Sequence, residues 1–178
     1  MTWQKSIFPK DAGKGFRKMA DQWDQNGNKE IRETASYRET YELGRELGQQ
    51  AKPGQIYCLD GDLGVGKTVF AQGFAAGLQI EEVVNSPTFT IVQQYEKGRL
   101  PLYHFDVYRI GDVEEMEEIG YEDYFYGEGV CLIEWSQLIE DILPEYVIRV
   151  QIEKDPEQGF DYRRITIECR QKSAKETS

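Results

Sequence analysis

The sequence predicts an α/β domain in three layers, a mixed sheet with helices on both faces, and three observations carry that reading. Ile56-Tyr57-Cys58-Leu59 and Val130-Cys131-Leu132-Ile133 are continuously apolar, the pattern of strands buried on both sides. Apolar residues four apart in 43–51 and 70–78 give helices with one buried face. Alternating segments in the middle and near the end of the chain add hairpins, so antiparallel strands extend a parallel core that includes 55–60 and 130–134.

Residues 1–33 are polar and rich in Gly, Lys, Asp and Gln, with Ile7, Phe8, Phe16 and Trp23 on no sustained period, and they read as an N-terminal extension. Gln25-Asn26-Gly27-Asn28-Lys29 has the composition of a turn or linker, and the domain proper is expected over 34–170. Ser36-Tyr37-Arg38-Glu39 fits a capping box, in which the Ser oxygen and the Glu carboxylate satisfy free amides at a helix start. Leu43, Leu47 and Ala51 mark the buried face of that helix, and Pro53-Gly54 ends it before the strand at 56–59. A second helix from about Gly66 places Phe70, Phe74 and Leu78 along one side.

From Thr88 to Tyr95 the period changes to two, and after Glu96-Lys97-Gly98-Arg99 the run Leu102 to Val107 completes a β-hairpin. Asp112-Val113-Glu114-Glu115 caps a helix whose inner face holds Val113, Met116 and Ile119 and which Gly120 stops. The acidic run Glu114-Glu115-Glu117-Glu118 is its solvated side. After the strand at 130–134 a short helix over 136–143 runs to Pro144. Ile148, Val150 and Ile152 alternate with polar residues, as does Arg164 to Cys169 beyond Asp155-Pro156-Glu157-Gln158-Gly159, which is a second hairpin. Residues 171–178 hold only Gln, Lys, Ser, Ala, Glu and Thr and read as a frayed tail.

A chain of 178 residues suits one such domain. Its 21 Lys plus Arg against 32 Asp plus Glu give −11 with the one His neutral, which disfavours an unselective grip on a nucleic-acid backbone. No stretch approaches the roughly 20 apolar residues of a membrane span. The start of the chain lacks the apolar run and cleavage site of a secretory signal, so a soluble, cytoplasmic protein is expected. Cys58, Cys131 and Cys169, odd in number and each in an apolar run, read as buried thiols rather than disulfides or zinc ligands.

The strongest chemical signal is Gly61-Asp62-Leu63-Gly64-Val65-Gly66-Lys67-Thr68, a full match to the phosphate-loop pattern G-x-x-x-x-G-K-[ST] between a strand and a helix. Backbone amides of such a loop and the helix N-terminus converge on an anion, and the glycines let the backbone approach it without a Cβ in the way. Lys67 then neutralises the β- and γ-phosphates, and the Thr68 hydroxyl stands at the offset that ligates Mg²⁺. No Asn/Thr-Lys-x-Asp run of the kind that reads guanine is present, which favours ATP. Tyr37 and Arg163 are weak candidates for holding the base.

Magnesium also calls for a carboxylate at the end of an apolar strand beside the loop, and two compete for that place. Glu134 follows Val130-Cys131-Leu132-Ile133, and Asp106 ends Leu102-Tyr103-His104-Phe105-Asp106. His104 itself reads as a packed strand residue. Ser86-Pro87-Thr88 either covers the γ-phosphate as a switch segment or is a turn. The loop alone does not separate hydrolysis from transfer to another acceptor, so an ATPase, a kinase acting on a small molecule or protein, and a nucleotide-binding module without useful hydrolysis all fit.

Together these motifs resemble the TsaE family, bacterial ATPases required for making threonylcarbamoyladenosine (t6A) in tRNA. The resemblance covers about 34–170. It rests on Gly61 to Thr68, on Asn85-Ser86-Pro87-Thr88-Phe89-Thr90, on His104-Phe105-Asp106-Val107-Tyr108-Arg109 and on Ile133-Glu134-Trp135. It implies a P-loop NTPase-like fold in which Gly64, Val65, Gly66, Lys67, Thr68 and Val69 hold the ATP phosphates. Thr68 and Glu134 would ligate Mg²⁺, Asp106 would support hydrolysis with Lys67 and Glu134, and Trp135 would lie near the nucleotide. Ser86 to Thr90, with Ser86 and Thr88 as its hydroxyls, would be a nucleotide-sensing switch. A protein of this family does not itself transfer the threonylcarbamoyl group; it binds the TsaD transferase and its TsaB companion, where ATP turnover allows repeated cycles. The −11 charge agrees with tRNA being contacted only through those partners. The polar segment before residue 34 has no counterpart in the resemblance.

Overall fold

Over the described residues, 29–171 of a computed structural model, the chain alternates strands and helices. The order is β1 (Lys29–Thr34), α1 (Tyr37–Gln50), β2 (Ile56–Asp60), α2 (Lys67–Gly77), β3 (Val92–Tyr95) and β4 (Leu102–Asp106), followed by α3 (Glu114–Ile119), α4 (Tyr121–Phe125) and β5 (Val130–Glu134). A 3₁₀ segment (Ser136–Ile142), β6 (Tyr146–Lys154) and β7 (Arg163–Gln171) complete it. All seven strands form one sheet in the order β1-β7-β6-β2-β5-β4-β3. Strands β6, β2, β5 and β4 run parallel at its centre, β3 pairs antiparallel with β4 and β7 with β6, and β1 pairs antiparallel with β7 at the edge. The mixed three-layer sheet predicted from the sequence is the one observed.

Alternation along β2 builds a core on each face. Tyr57 and Leu59 pack with Leu43, Leu47, Phe70 and Phe74 of α1 and α2, whereas Ile56 and Cys58 pack with Met116, Phe125 and Ile139 on the other side. The α1 cap forms as expected: Glu39 N donates to Ser36 Oγ at 3.2 Å, while the Glu39 carboxylate accepts from Ala35 N, one residue earlier than in the standard box. The three cysteines are free and buried.

Helices α1 and α2 touch backbone to backbone. A Cβ built on Gly44, Gly48, Gly73 or Gly77 would lie 2.0–2.3 Å from a carbonyl oxygen of the facing helix. These glycines seat α2 directly against α1, and α2 carries the phosphate-type loop at its N-terminus.

Some expectations are corrected. Residues 29–33, read as the end of the extension, belong to β1, which pairs with β7 from Lys29↔Glu168 to Thr34↔Arg163. This edge strand is held by its hydrogen-bond ladder rather than by burial. Its one large apolar residue, Ile31, is 55% exposed, so it leaves no hydrophobic pattern to read. The strand expected from Thr88 begins only at Val92, because Ile91 takes a left-handed φ of +66°. Gln171, placed in the tail, is the last residue of β7, and α4 was not foreseen. Ile7, Phe8, Phe16, Trp23 and residues 172–178 lie outside the described residues.

Candidate functional site

The parallel strands β2, β5 and β4 end together at one edge of the sheet, where 61–66 leads into α2. The register sets Leu59 beside Glu134 and Glu134 beside Asp106, so both strand-end carboxylates compete for one place next to the loop. In the loop Gly61, Gly64 and Gly66 have φ of +150°, +70° and +112°, a conformation that L side chains rarely adopt. Gly66 caps α2 with no side-chain hydrogen bond, which leaves the first-turn amides of that helix for an anion.

Lys67 is only 6% exposed; its Nζ donates to Gly61 O at 2.6 Å and Asp62 O at 3.0 Å and lies 4.2 Å from the centre of the Trp135 ring. Burial pulls its pKa below the ordinary lysine value, and Glu134, Asp106, Asp60 and Asp62 pull it back up. Thr68, next in the chain, is exposed and Val69 half-buried, while Val65 is buried with its carbonyl accepting from Arg163 Nε at 2.5 Å.

The two acids are held in different ways. Asp106 Oδ2 accepts from Ser86 Oγ at 2.5 Å and Thr88 Oγ1 at 2.9 Å, and Oδ1 accepts from Tyr108 N at 3.0 Å. The structure therefore brings Ser86, Thr88 and Asp106 together. Glu134 is buried and contacts the ring of His104, Nε2 to Oε1, at 2.9 Å. Trp135 follows with φ of +62°, unusual for a bulky residue, its ring 4.9 Å from that of Tyr108. Its position is secured by the next residue: Ser136 N and Oγ both donate to Asp60, at 2.8 and 2.7 Å. Burial pushes the Asp60 carboxyl pKa above its usual range, opposed by these hydrogen bonds and by Arg149, which bridges Asp60 and Glu140. Asp60 thus ties the start of the loop to the turn that carries Glu134 and Trp135. A cleft of about 470 Å³ opens beside this tie, lined by Asp60, Gly61, Asp62, Trp135 and Arg149 among others.

Sequence reasoning missed Asp60, Ser136 and Arg149. Asp60 did carry a signal, since it ends an apolar strand just as Glu134 and Asp106 do. Arg163 braces the loop through Val65 O, a role the base-holding guess did not foresee. Tyr37, the other guess, is largely exposed and its hydroxyl donates to Gln72 of α2 at 3.3 Å.

Among the described residues no group of three or more His, Cys, Asp or Glu is arranged to hold a metal ion by itself. The donors beside the loop are instead few and all oxygen: the Thr68 hydroxyl and the carboxylates. That set suits Mg²⁺, a hard ion that takes one or two protein oxygens and completes its shell with phosphates and water. Asp106 already spends both oxygens on three hydrogen bonds, so Glu134 is the acid better placed to serve a cation.

Comparison with known proteins agrees with this architecture. A family model described as threonylcarbamoyl adenosine biosynthesis protein TsaE matches residues 34–165. The tRNA threonylcarbamoyladenosine biosynthesis protein TsaE of Bacillus subtilis (strain 168) is 49% identical over 133 residues, 75% of this chain and 81% of that protein. The protein of the same name from Treponema pallidum (strain Nichols) is 42% identical over 117 residues, 66% of this chain and 86% of its own. The crystal structure of Bacillus subtilis YdiB superposes with a TM-score of 0.68 at 41% identity, covering 79% of this chain and 84% of that one.

Proposed function

The chain belongs to the TsaE family, whose members act in t6A biosynthesis, and on that footing we propose that it is a Mg²⁺-dependent ATPase regulating a TsaD-like transferase and its TsaB-like companion. The observation that carries the reading is the convergence of the 61–68 loop, Thr68 and two strand-end acids at the carboxyl ends of three parallel strands. Loop amides and the α2 N-terminus hold the phosphates, and Lys67, steered by Trp135, neutralises the charge that gathers on the transferred group. Thr68 and Glu134 would hold Mg²⁺, which would supply positive charge against the phosphates, and Asp106 would orient the attacking water or the segment that covers it.

The switch role of 86–90 is supported by its tether: Ser86 and Thr88 reach Asp106 through hydroxyls alone, and Phe89 between them and the next strand is 85% exposed. A segment so held can change partners when a γ-phosphate arrives and present Phe89 differently to a bound protein. The transferase complex is the proposed carrier of tRNA, and the proposed location is the cytoplasm; no helix among the described residues is long and apolar enough to cross a membrane.

The test is release of inorganic phosphate from ATP, with and without the TsaD-like and TsaB-like proteins, by the wild type and Lys67→Ala. Loss of release and of cellular t6A in the variant is expected. A phosphorylated acceptor in place of free phosphate would make it a kinase, and normal t6A with Lys67→Ala would overturn the proposal.

A further inference from the structure

We propose that His104 is a positioning residue that sets the Glu134 carboxylate for its cation; the inference rests on the metal-site reading above. His104 and Glu134 sit diagonally on adjacent parallel strands, His104 opposite Leu132 and Glu134 two residues further on, so both side chains leave the same face of the sheet. His104 is fully buried, and among the described residues its ring makes one hydrogen bond, between Nε2 and Glu134 Oε1 at 2.9 Å. Among the described residues Nδ1 has no hydrogen-bond partner. A histidine serving the core alone would be replaceable by an apolar side chain of similar volume that leaves no polar atom stranded, and stranding one is costly. The polar ring is therefore explained by what its other nitrogen does.

An ionised carboxylate only accepts, so the shared proton sits on Nε2. The contact engages Oε1 and leaves Oε2 as the oxygen to serve the cation, and Glu134 lies close enough to the loop for its charge to act on Lys67. Ligands oriented in this way by a buried hydrogen bond lose metal affinity when the partner is removed, typically about 10–100-fold.

His104 is the only histidine of the chain, so its imidazole ¹⁵N signals are unambiguous in untagged protein. The expected spectrum shows a proton on Nε2, with the Nε2 signal moving when Mg²⁺ and ADP are added together but not with ADP alone. An Nε2 without a proton, or a signal blind to Mg²⁺, overturns the proposal without any mutation. Calorimetry of Mg²⁺ binding to the ADP complex supplies the second arm. His104→Gln keeps an amide donor at the reach of Nε2 and is expected to bind within about 3-fold of wild type, whereas His104→Asn, too short to touch Glu134, should weaken Mg²⁺ by about 10-fold or more. Equal effects of the two variants, or none from His104→Asn, would overturn it. Glu134→Gln separates the layers: if it leaves Mg²⁺ binding intact the metal-site reading itself is wrong, and if it weakens binding while His104→Asn does not, only the role of His104 fails.

Discussion

Replacing Gly73 by Ala pushes a methyl group into the backbone of the facing helix. The added Cβ would stand 2.0 Å from Tyr41 O, 2.8 Å from its carbonyl carbon and 3.1 Å from Arg45 N, none of them atoms that can rotate away. Ordinary contact begins near 3.4 Å, so α1 and α2 must part by about 1.4 Å at this point, and a gap of that order forfeits much of the dispersion energy between facing side chains. Leu43, Leu47, Phe70 and Phe74 line the shared core and lose contact together. Overpacking costs about 1–3 kcal/mol in cores that can relax, and the upper end applies where backbone meets backbone. Alanine returns about 1 kcal/mol of helix propensity, leaving a net loss of roughly 2 kcal/mol and a Tm lower by about 4–8 °C. Circular dichroism melts of Gly73→Ala against Gly111→Ala test this. The Cβ at Gly111 meets nothing nearer than the flexible Glu115 carboxylate at 3.4 Å, so the control should melt within about 2 °C of wild type. A Gly73→Ala protein that melts at or above the wild-type temperature would show that the helices are not in contact as described.

Asp60 gives a pH dependence of known sign. Its folded-state pKa lies above the ordinary carboxylate value because of burial, so the native state holds the proton more tightly than the unfolded chain and stability falls as pH rises through the interval between the two values. Asp60→Asn should flatten the part of the urea-melt profile that lies just above the ordinary carboxylate pKa relative to wild type, and superimposable slopes would refute the assignment. Burial also pushes the Cys58 thiol up to about 12 and Cys169 up to about 11, with Cys131 raised too. At pH 8 the native thiols should therefore ignore an aromatic disulfide reagent and all three react in denaturant, whereas rapid native labelling would contradict their burial. Ser86→Ala with Thr88→Ala removes both hydroxyls from Asp106, each hydrogen bond to a carboxylate being worth about 1.5–3 kcal/mol. Chymotrypsin should then cut after Phe89 at least about 10-fold faster, and an unchanged rate would mean that the tether does not hold the segment.

The elements that fill the two cores were legible because burial writes a period into the chain: Leu43 and Leu47, Phe70 and Phe74, Val130 to Ile133 all fall where the pattern put them. What escaped was held by other means. Lys29 to Thr34 is stabilised by backbone hydrogen bonds at a sheet edge, and a ladder leaves no mark in composition. The four interhelical glycines left only an absence of side chains, which reads as weak helix propensity until the facing helix is known. The loop motif was legible in full because its chemistry demands particular residues in consecutive positions. The tie between Asp60 and Ser136 was not, because it joins residues 76 apart in the chain through a topology that no local pattern encodes.

Asp106 and Glu134 look equivalent in sequence, each an acid closing an apolar strand, and the structure separates them by what holds each one. Glu134 rests on a buried ring from the neighbouring strand, and the turn after it is tied to Asp60 at the foot of the loop, so its place is set by the sheet. Asp106 is held on one oxygen by hydroxyls of an irregular segment that ends at the left-handed Ile91, a conformation costing a β-branched residue about 1–3 kcal/mol. Motion of 86–91 therefore alters the surroundings of Asp106 and leaves those of Glu134 intact. For the proposed ATPase this is a workable division of labour: a cation held by the rigid acid would stay in place through the cycle, while the acid proposed to answer to the γ-phosphate would follow a segment that a partner protein can reach.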